Sequence, residues 1–142
     1  GNIIITDGDD NVIWALAATT GPFSGQAMTA GAVYIIAGNG AADYTGAGGP
    51  ALAAAMDEPE GVAIDSAGNI VFADDSNDVI RVIAETTGKF YGKKMTTGDI
   101  YTIGPSSDAN NLSTPEGLII DGQGNIWIVD RHNHRIRVIN AG

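Results

Sequence analysis

The chain has 142 residues, enough for one modest domain, and its hydrophobic share of 44% excludes a disordered chain. It contains no cysteine, which excludes disulfides, zinc–thiolate sites and thiol catalysis. A formal net charge of −10 argues against nucleic-acid binding, and no apolar run approaches the roughly 20 residues that span a bilayer.

Two short patterns recur along the chain. Gly-Asn, followed by apolar residues and a final Asp, covers residues 1–7, 68–74 and 124–130. Pro-Glu-Gly, followed by apolar residues and Asp, covers 59–65 and 115–121. Repeats of this size are typical of stacked supersecondary units, each of which needs its neighbours to bury its faces.

The first repeat predicts three strands, at 3–6, 12–16 and 32–36, separated by Gly, Asp and Asn residues that favour turns. The long connection 17–31 recurs without a gap as 84–98, with Phe and Met at the same places. We expect both copies to fold back on the chain as hairpins that decorate their repeats, and a ligand-contacting loop is the alternative.

The middle repeat predicts four strands, at 61–65, 70–74, 79–83 and 99–103. Four antiparallel strands in sequence order form a meander, which is the blade of a β-propeller. The third repeat predicts strands at 118–121, 126–129 and 135–139, so about two and a half blades are present in an all-β propeller of four-stranded blades. The predicted boundaries are 1–38 for the first blade, 39–58 for a linker, 59–104 for the second blade, 105–114 for a second linker and 115–142 for the third blade.

The two linkers differ in length, but each carries an apolar residue shortly before its Pro-Glu-Gly pattern. Pro50 is placed to start a short helical turn through the alanines that follow it. Met56 and Leu112 occupy equivalent places before the two Pro-Glu-Gly patterns. We expect these two side chains to plug the spaces between blades.

The motifs at 59–65, 68–74 and 130–138 resemble the NHL-repeat family, and Asn-His-Arg-Ile-Arg-Val at 133–138 is similar to that family's signature. The glycine-rich segment 37–51 is similar to bacterial, secreted members. The resemblance implies a β-propeller of about six blades, an extracellular location and a role as a binding platform. A few relatives are metal-dependent lyases and some bind RNA, but the first 80 residues here contain no His, Lys or Arg.

A stack of fewer than three complete blades leaves apolar faces and strand edges without partners. The expected partners are therefore further propeller blades, supplied by the same longer chain or by a second copy that closes a ring. A self-assembling extracellular protein is a further alternative. A protein or carbohydrate ligand is expected at the loops, whereas nucleic acid and a membrane span are not.

Candidate metal ligands cluster at two turns. Asp130, His132 and His134 have spacing that suits a divalent metal, although the carboxylate of such a turn also caps backbone N–H groups. Asp7, Asp9 and Asp10 resemble part of a calcium loop but lack the distal Glu of an EF-hand. No cofactor is expected, with calcium or another divalent metal as the alternative.

Aromatic and basic residues supply further candidates for ligand binding or blade contacts. Trp14 and Arg131 are candidate ligand-binding residues, and Trp127 is expected in the core. Arg81 and Arg137 share the position that Trp14 has in the first repeat. We expect this recurrent Arg to pair with a carboxylate of a neighbouring blade, Asp65 or Asp121.

No nucleophile, base and orienting group can be assembled from the sequence, so no catalytic residue is assigned. The leading hypothesis is a non-catalytic binding or scaffold propeller that presents loops to a protein or carbohydrate. Part of a metal-dependent propeller lyase or hydrolase is the alternative, and the sequence leaves the question of enzymatic activity open.

Overall fold

The computed structural model describes residues 1–104 and 111–141. Within these ranges the chain forms β-strands and short 3-10 turns, with no α-helix. The strands are β1 (Ile3–Asp7), β2 (Val12–Leu16), β3 (Gly21–Phe23), β4 (Gln26–Met28), β5 (Val33–Ala37), β6 (Gly49–Pro50), β7 (Pro59–Ile64), β8 (Ile70–Asp74), β9 (Val79–Ile83), β10 (Gly88–Phe90), β11 (Lys93–Met95), β12 (Asp99–Ile103), β13 (Pro115–Ile120), β14 (Ile126–Asp130) and β15 (Arg135–Ile139).

Three antiparallel sheets form the body of the protein. The first has the order β1-β2-β5, the second β6-β12-β9-β8-β7, and the third β13-β14-β15. We call them blades 1, 2 and 3. The predicted four-strand meander is confirmed in blade 2, and the linker adds β6 as a fifth strand on the edge formed by β12.

The long connections between the third and fourth strands fold back as predicted. One forms the hairpin β3-β4 and the other forms β10-β11. Met28 and Met95, at the ends of these hairpins, are buried. Anchoring by a buried methionine holds each hairpin against the body, since full burial of such a side chain is worth about 1.5–3 kcal/mol.

Each seam between blades has its own apolar core. Side chains alternate across a strand, so Ile70 and Phe72 pack toward blade 1 while Val71 and Ala73 pack toward blade 3. This two-sided burial explains why β8 is apolar from Ile70 to Ala73. Met56 lies in the first core and Leu112 in the second, which confirms their predicted role as plugs between blades.

The first strands of blades 2 and 3, which are β7 and β13, lie side by side and contact each other. A Cβ atom added at Gly61 would clash with the backbone oxygen of Glu116. The glycine of the Pro-Glu-Gly pattern is therefore required for this close approach of two backbones. We call this edge of the blades the inner edge.

The first predicted linker contains the expected helical turn, a 3-10 turn at Ala51–Ala53 preceded by Pro50. Of the second predicted linker, 105–114, residues 105–110 lie outside the described residues. Within the described ranges no helix is long and apolar enough to cross a membrane.

Candidate functional site

Recurrent Asp and Asn residues build the turn between the first and second strands of blades 2 and 3. Asp65 Oδ1 accepts hydrogen bonds from the N–H groups of Ala67 and Asn69, and Asn69 Nδ2 donates to Asp65 Oδ2. Asn69 Oδ1 then accepts the N–H of Glu85, two residues after the third strand. Asp121 and Asn125 repeat the arrangement in blade 3. These polar residues are committed to the turn.

A second set of aspartates, at the end of the second strand, holds the opposite end of each blade. Asp74 Oδ1 accepts the N–H of Asp57 in the linker and the Nδ2 group of Asn77 in the turn. Asp130 accepts the corresponding bonds from Ser113 and Asn133. The recurrent carboxylate therefore ties a blade to the linker that precedes it.

The partner of Arg81 differs from the prediction. Arg81 Nη1 lies 3.2 Å from Asp74 Oδ2 in its own blade, so the expected pairing with Asp65 or Asp121 is wrong. The guanidinium also donates to the backbone oxygens of Ala55 and Thr45. Arg81 is placed here because the linker passes beside this face of blade 2 and leaves carbonyl groups in need of donors.

Burial raises the pKa of Asp74 despite hydrogen bonds from Asp57 and Asn77 and the charge of Arg81. At the equivalent Asp130, burial also acts to raise the pKa, but hydrogen bonds from Ser113, Arg135 and Asn133 outweigh it and the pKa is lowered. The two ion pairs differ in exposure, since Arg81 is fully buried and Arg135 is about one-third exposed, 34%.

The first group of candidate metal ligands does not converge on a point. The Asp130 carboxylate is occupied by Ser113, Asn133 and Arg135. His132 contacts the hydroxyl of Thr114, and His134 takes the left-handed turn position with φ of 51°. Across residues 1–104 and 111–141, no set of three or more Asp, Glu or His side chains is placed to hold a metal ion.

The second group lies on the turn between β1 and β2. Asp7 Oδ1 accepts the N–H of Asp10, and Asp7 Oδ2 accepts the indole N–H of Trp14 at 3.2 Å. Asp9 and Asp10 are exposed. Trp14 thus replaces Arg81 as the donor to the recurrent aspartate of its blade.

The remaining candidates lie on the surface. Arg131 Nη1 forms a salt bridge of 2.7 Å with Glu116 Oε1 on β13. Trp127 is 42% exposed, so the prediction that it belongs to the core is wrong. Its indole N–H donates to Asp121, which together with hydrogen bonds from Asn125 lowers the pKa of Asp121 to about 2.

Blades 1 and 3 each present an apolar outer face. Ile3 on β1 is 57% exposed, and its equivalent in blade 2, Ile70, is fully buried against blade 1. Ile136 on β15 is 60% exposed, and its equivalent, Ile80, is fully buried against blade 3. The outer faces therefore correspond to the two seam-forming faces of blade 2. They comprise Ile3, Ile5 and Val33 on blade 1 and Ile119, Trp127, Val129, Ile136 and Val138 on blade 3.

The two seams differ where the hairpins lie. At the first seam, the N–H and hydroxyl of Ser24 both donate to the Glu85 carboxylate at 2.9 Å, so the β3-β4 hairpin is closed onto blade 2. At the second seam, the equivalent residues are Tyr91 and Ala141. Ala141 offers no carboxylate, and the Tyr91 hydroxyl donates instead to Asp65 at 2.8 Å.

An open cleft of about 430 Å³ occupies the second seam. Burial and the hydrogen bond to Asp65 raise the pKa of Tyr91 above its usual range, so the phenol remains a donor. Sequence reasoning missed the cleft, although the signal was present as the exchange of Ser24 and Glu85 for Tyr91 and Ala141 at aligned positions. The lining residues are Asp65, Ser66, Ala67, Lys89, Phe90, Tyr91, Gly92, Gln123, Gly124 and Ala141.

Solved structures show the same architecture. An auxiliary nutrient binding protein from Bacteroides thetaiotaomicron matches with a TM-score of 0.67 and 20% identity over 98% of this chain and 34% of its own. A protein of unknown function from the same organism matches with a TM-score of 0.73 and 16% identity over 99% and 32%. A putative phosphatase from that organism matches with a TM-score of 0.67 and 14% identity over 98% and 32%. The chain thus spans about a third of these proteins, and identities this low show the fold alone.

The predicted fold class is confirmed: the described residues form the antiparallel blades of an all-β, propeller-type fold. Residues 112–139 match the model of the NHL repeat, so the resemblance to the NHL-repeat family is confirmed as well. A comparison with curated protein sequences gives no match.

Proposed function

We propose that this chain is part of a non-catalytic, extracellular binding propeller whose ligand is a carbohydrate held in the cleft between the β10-β11 hairpin and blade 3. The observation that carries the proposal is the difference between the two seams. A hydrogen-bonded seal closes the first seam, whereas the second seam has Tyr91 and Ala141 at the same positions and contains an open cleft.

The lining of the cleft supports a sugar ligand. Phe90 and Tyr91 supply aromatic surface, while Lys89, Ser66 and Gln123 supply polar groups around it. Ligand sites typically combine apolar walls with a few polar groups, in clefts of about 300–1,000 Å³. A volume of about 430 Å³ suits one or two sugar rings. One of the similar structures is described as a nutrient binding protein, which agrees with this class of function.

A binding role also agrees with how the recurrent carboxylates are used. Asp65, Asp74 and Asp130 each accept several hydrogen bonds from backbone or side-chain donors of their own blade and its linker. Carboxylates held in this way are poorly placed for general acid–base work on a ligand. Further blades are the proposed partners of the two outer apolar faces, because the equivalent faces of blade 2 are buried by blades.

The carbohydrate proposal is tested by isothermal titration calorimetry with a panel of neutral and acidic oligosaccharides. Lys89→Ala and Gln123→Ala should each weaken binding by about tenfold, as loss of one or two ligand hydrogen bonds would. Lys94→Ala is the matched control, because Lys94 lies on β11 outside the cleft lining. Failure of every sugar to bind, or equal losses in the control, would contradict the proposal.

A further inference from the structure

The residue that follows the recurrent aspartate at the end of the second strand has a different charge in each blade. It is Gly8 in blade 1, Asp75 in blade 2 and Arg131 in blade 3. In blade 3 the arginine reaches Glu116 on the inner edge, at 2.7 Å. In blade 2 the same position therefore carries a negative charge where its neighbour carries a positive one.

Asp75 is buried in a negatively charged environment. It is only 4% exposed, and its Oδ1 atom has no hydrogen-bond partner among the described residues. Burial, together with the charges of Glu60, Glu116, Glu58 and Asp78, raises the pKa of Asp75 to about 6. An unpaired buried acceptor surrounded by like charges is costly, so the site favours an external donor with a positive charge.

Several of the surrounding carboxylates already have donors. Glu58 accepts the hydroxyl of Ser76 at 2.7 Å, Asp78 accepts the N–H of Thr114 at 2.8 Å, and Glu116 is paired with Arg131. Within the part of the chain that the structure describes, the Asp75 Oδ1 atom has no donor, and the nearby carboxylate of Glu60 is exposed. Both belong to the inner-edge end of blade 2.

We propose that this end of blade 2 binds an arginine side chain of a protein partner, with the guanidinium placed between Asp75 and Glu60. Arginine suits two carboxylates because its donors form a planar fork. The Arg131–Glu116 pair shows that a guanidinium fits at the equivalent place in blade 3. The chain has no Lys or Arg among residues 1–80, so blade 1 and the first linker cannot supply the cation.

A metal ion fits less well than arginine. No described group of three or more acidic or histidine side chains converges as metal coordination requires. A guanidinium instead bridges carboxylates that stand apart. The site lies at the turn between β8 and β9, at the opposite end of the blades from the cleft beside Asp65 and Tyr91, so it does not depend on the carbohydrate proposal.

The test measures fluorescence anisotropy of a labelled tetra-arginine peptide on titration with the protein, and a tetra-citrulline peptide is the uncharged comparison. Asp75→Asn and Glu60→Gln should each weaken arginine binding by about tenfold. Asp75→Arg should abolish it, because the new side chain would occupy the site as Arg131 does. Asp99→Asn, which removes the same charge at the other end of blade 2, should change affinity by less than about twofold.

Three results would overturn the proposal: no binding by the unmodified chain, equal binding of the citrulline peptide, or equal losses in Asp75→Asn and Asp99→Asn. The last result would mean general attraction to an acidic surface. If Asp75→Asn does not fold, Glu60→Gln decides the question, because Glu60 is exposed and its side chain is not part of the core.

Discussion

Arg81 and Asp74 form an ion pair of 3.2 Å in which neither side chain is exposed to solvent. The guanidinium also donates to the backbone oxygens of Ala55 and Thr45 and lies 5.2 Å from the centre of the Tyr44 ring. A single residue therefore fixes the linker between blades 1 and 2 against the face of blade 2.

Replacing Arg81 by Met should lower the free energy of unfolding by about 3–5 kcal/mol, because Asp74 would be left buried without its cationic partner. The linker carbonyls of Ala55 and Thr45 would lose their donor as well. Urea unfolding followed by circular dichroism measures the change. A loss below about 1 kcal/mol would show that the pair contributes little.

The equivalent substitution in blade 1 should lower the free energy of unfolding by much less. Trp14→Phe keeps an aromatic ring but removes the indole N–H that donates to Asp7 at 3.2 Å. We expect a loss of about 1 kcal/mol, since Asp7 also accepts the N–H of Asp10 and is not fully buried. The same urea titration compares the two variants, and an equal loss in both would contradict this ranking.

Asp75→Asn should stabilise the protein at neutral pH and not at low pH. The pKa of Asp75 is about 6 in the folded state against 3.8 as the usual value. As pH rises from about 4 to 6 the unfolded chain releases this proton before the folded one does, so the folded state loses stability relative to the unfolded state. The gain from the Asn variant should therefore be near zero at pH 3.5, grow through this window and stay constant above it.

Thermal unfolding of both forms at a series of pH values measures that gain. Its size above the window should be at most about 3 kcal/mol, which is what a pKa of about 6 against 3.8 represents. A gain independent of pH would mean that packing, and not charge, separates the two forms. Asp99→Asn provides the reference for loss of one negative charge elsewhere in blade 2.

The outer apolar faces should cause the chain to associate head to tail. Ile3→Asp and Ile136→Asp each place a charge on one of these faces and should shift the sedimentation profile toward monomer. Leu52→Asp is the matched control, because Leu52 is similarly exposed, at 45%, but lies in the linker. A chain that is already monomeric at high concentration would rule out association through these faces.

The seal at the first seam should control the mobility of one hairpin. Glu85→Ala removes the acceptor of both the N–H and the hydroxyl of Ser24. We expect faster hydrogen exchange in the hairpin β3-β4, as a local opening becomes easier. The hairpin β10-β11 is the internal control, because Tyr91 is held by Asp65 and not by Glu85. Equal acceleration in both hairpins would indicate general destabilisation.

Strand positions and blade type could be predicted because apolar runs, turn residues and the repeat itself all follow local rules. The plugs Met56 and Leu112 could be predicted because their positions relative to the repeat match. The partner of Arg81 could not, since it depends on where the linker passes and which carbonyls it leaves without donors. Trp127 was misplaced because a strand pattern does not tell which face is covered.

The same distinction between local sequence pattern and long-range contact applies to the candidate sites. The turn around Asp130 could be located, but its hydrogen-bond partners depend on Ser113, which lies in the linker before the blade. The cleft and the Asp75 environment depend on exchanges at single aligned positions. Comparing the repeats position by position would have found both, because a change of charge or size at one position of a repeated unit is visible in the sequence.

Each seam joins two unlike faces, one carrying the Phe72 position and the other carrying the Ile80 position. A blade therefore carries both of the faces that form a seam, one on each of its sides. Duplication of one repeat in a gene therefore adds a unit that carries both kinds of face. The same polarity excludes a mirror-like pairing of two identical faces, so the number of blades can grow by one at a time.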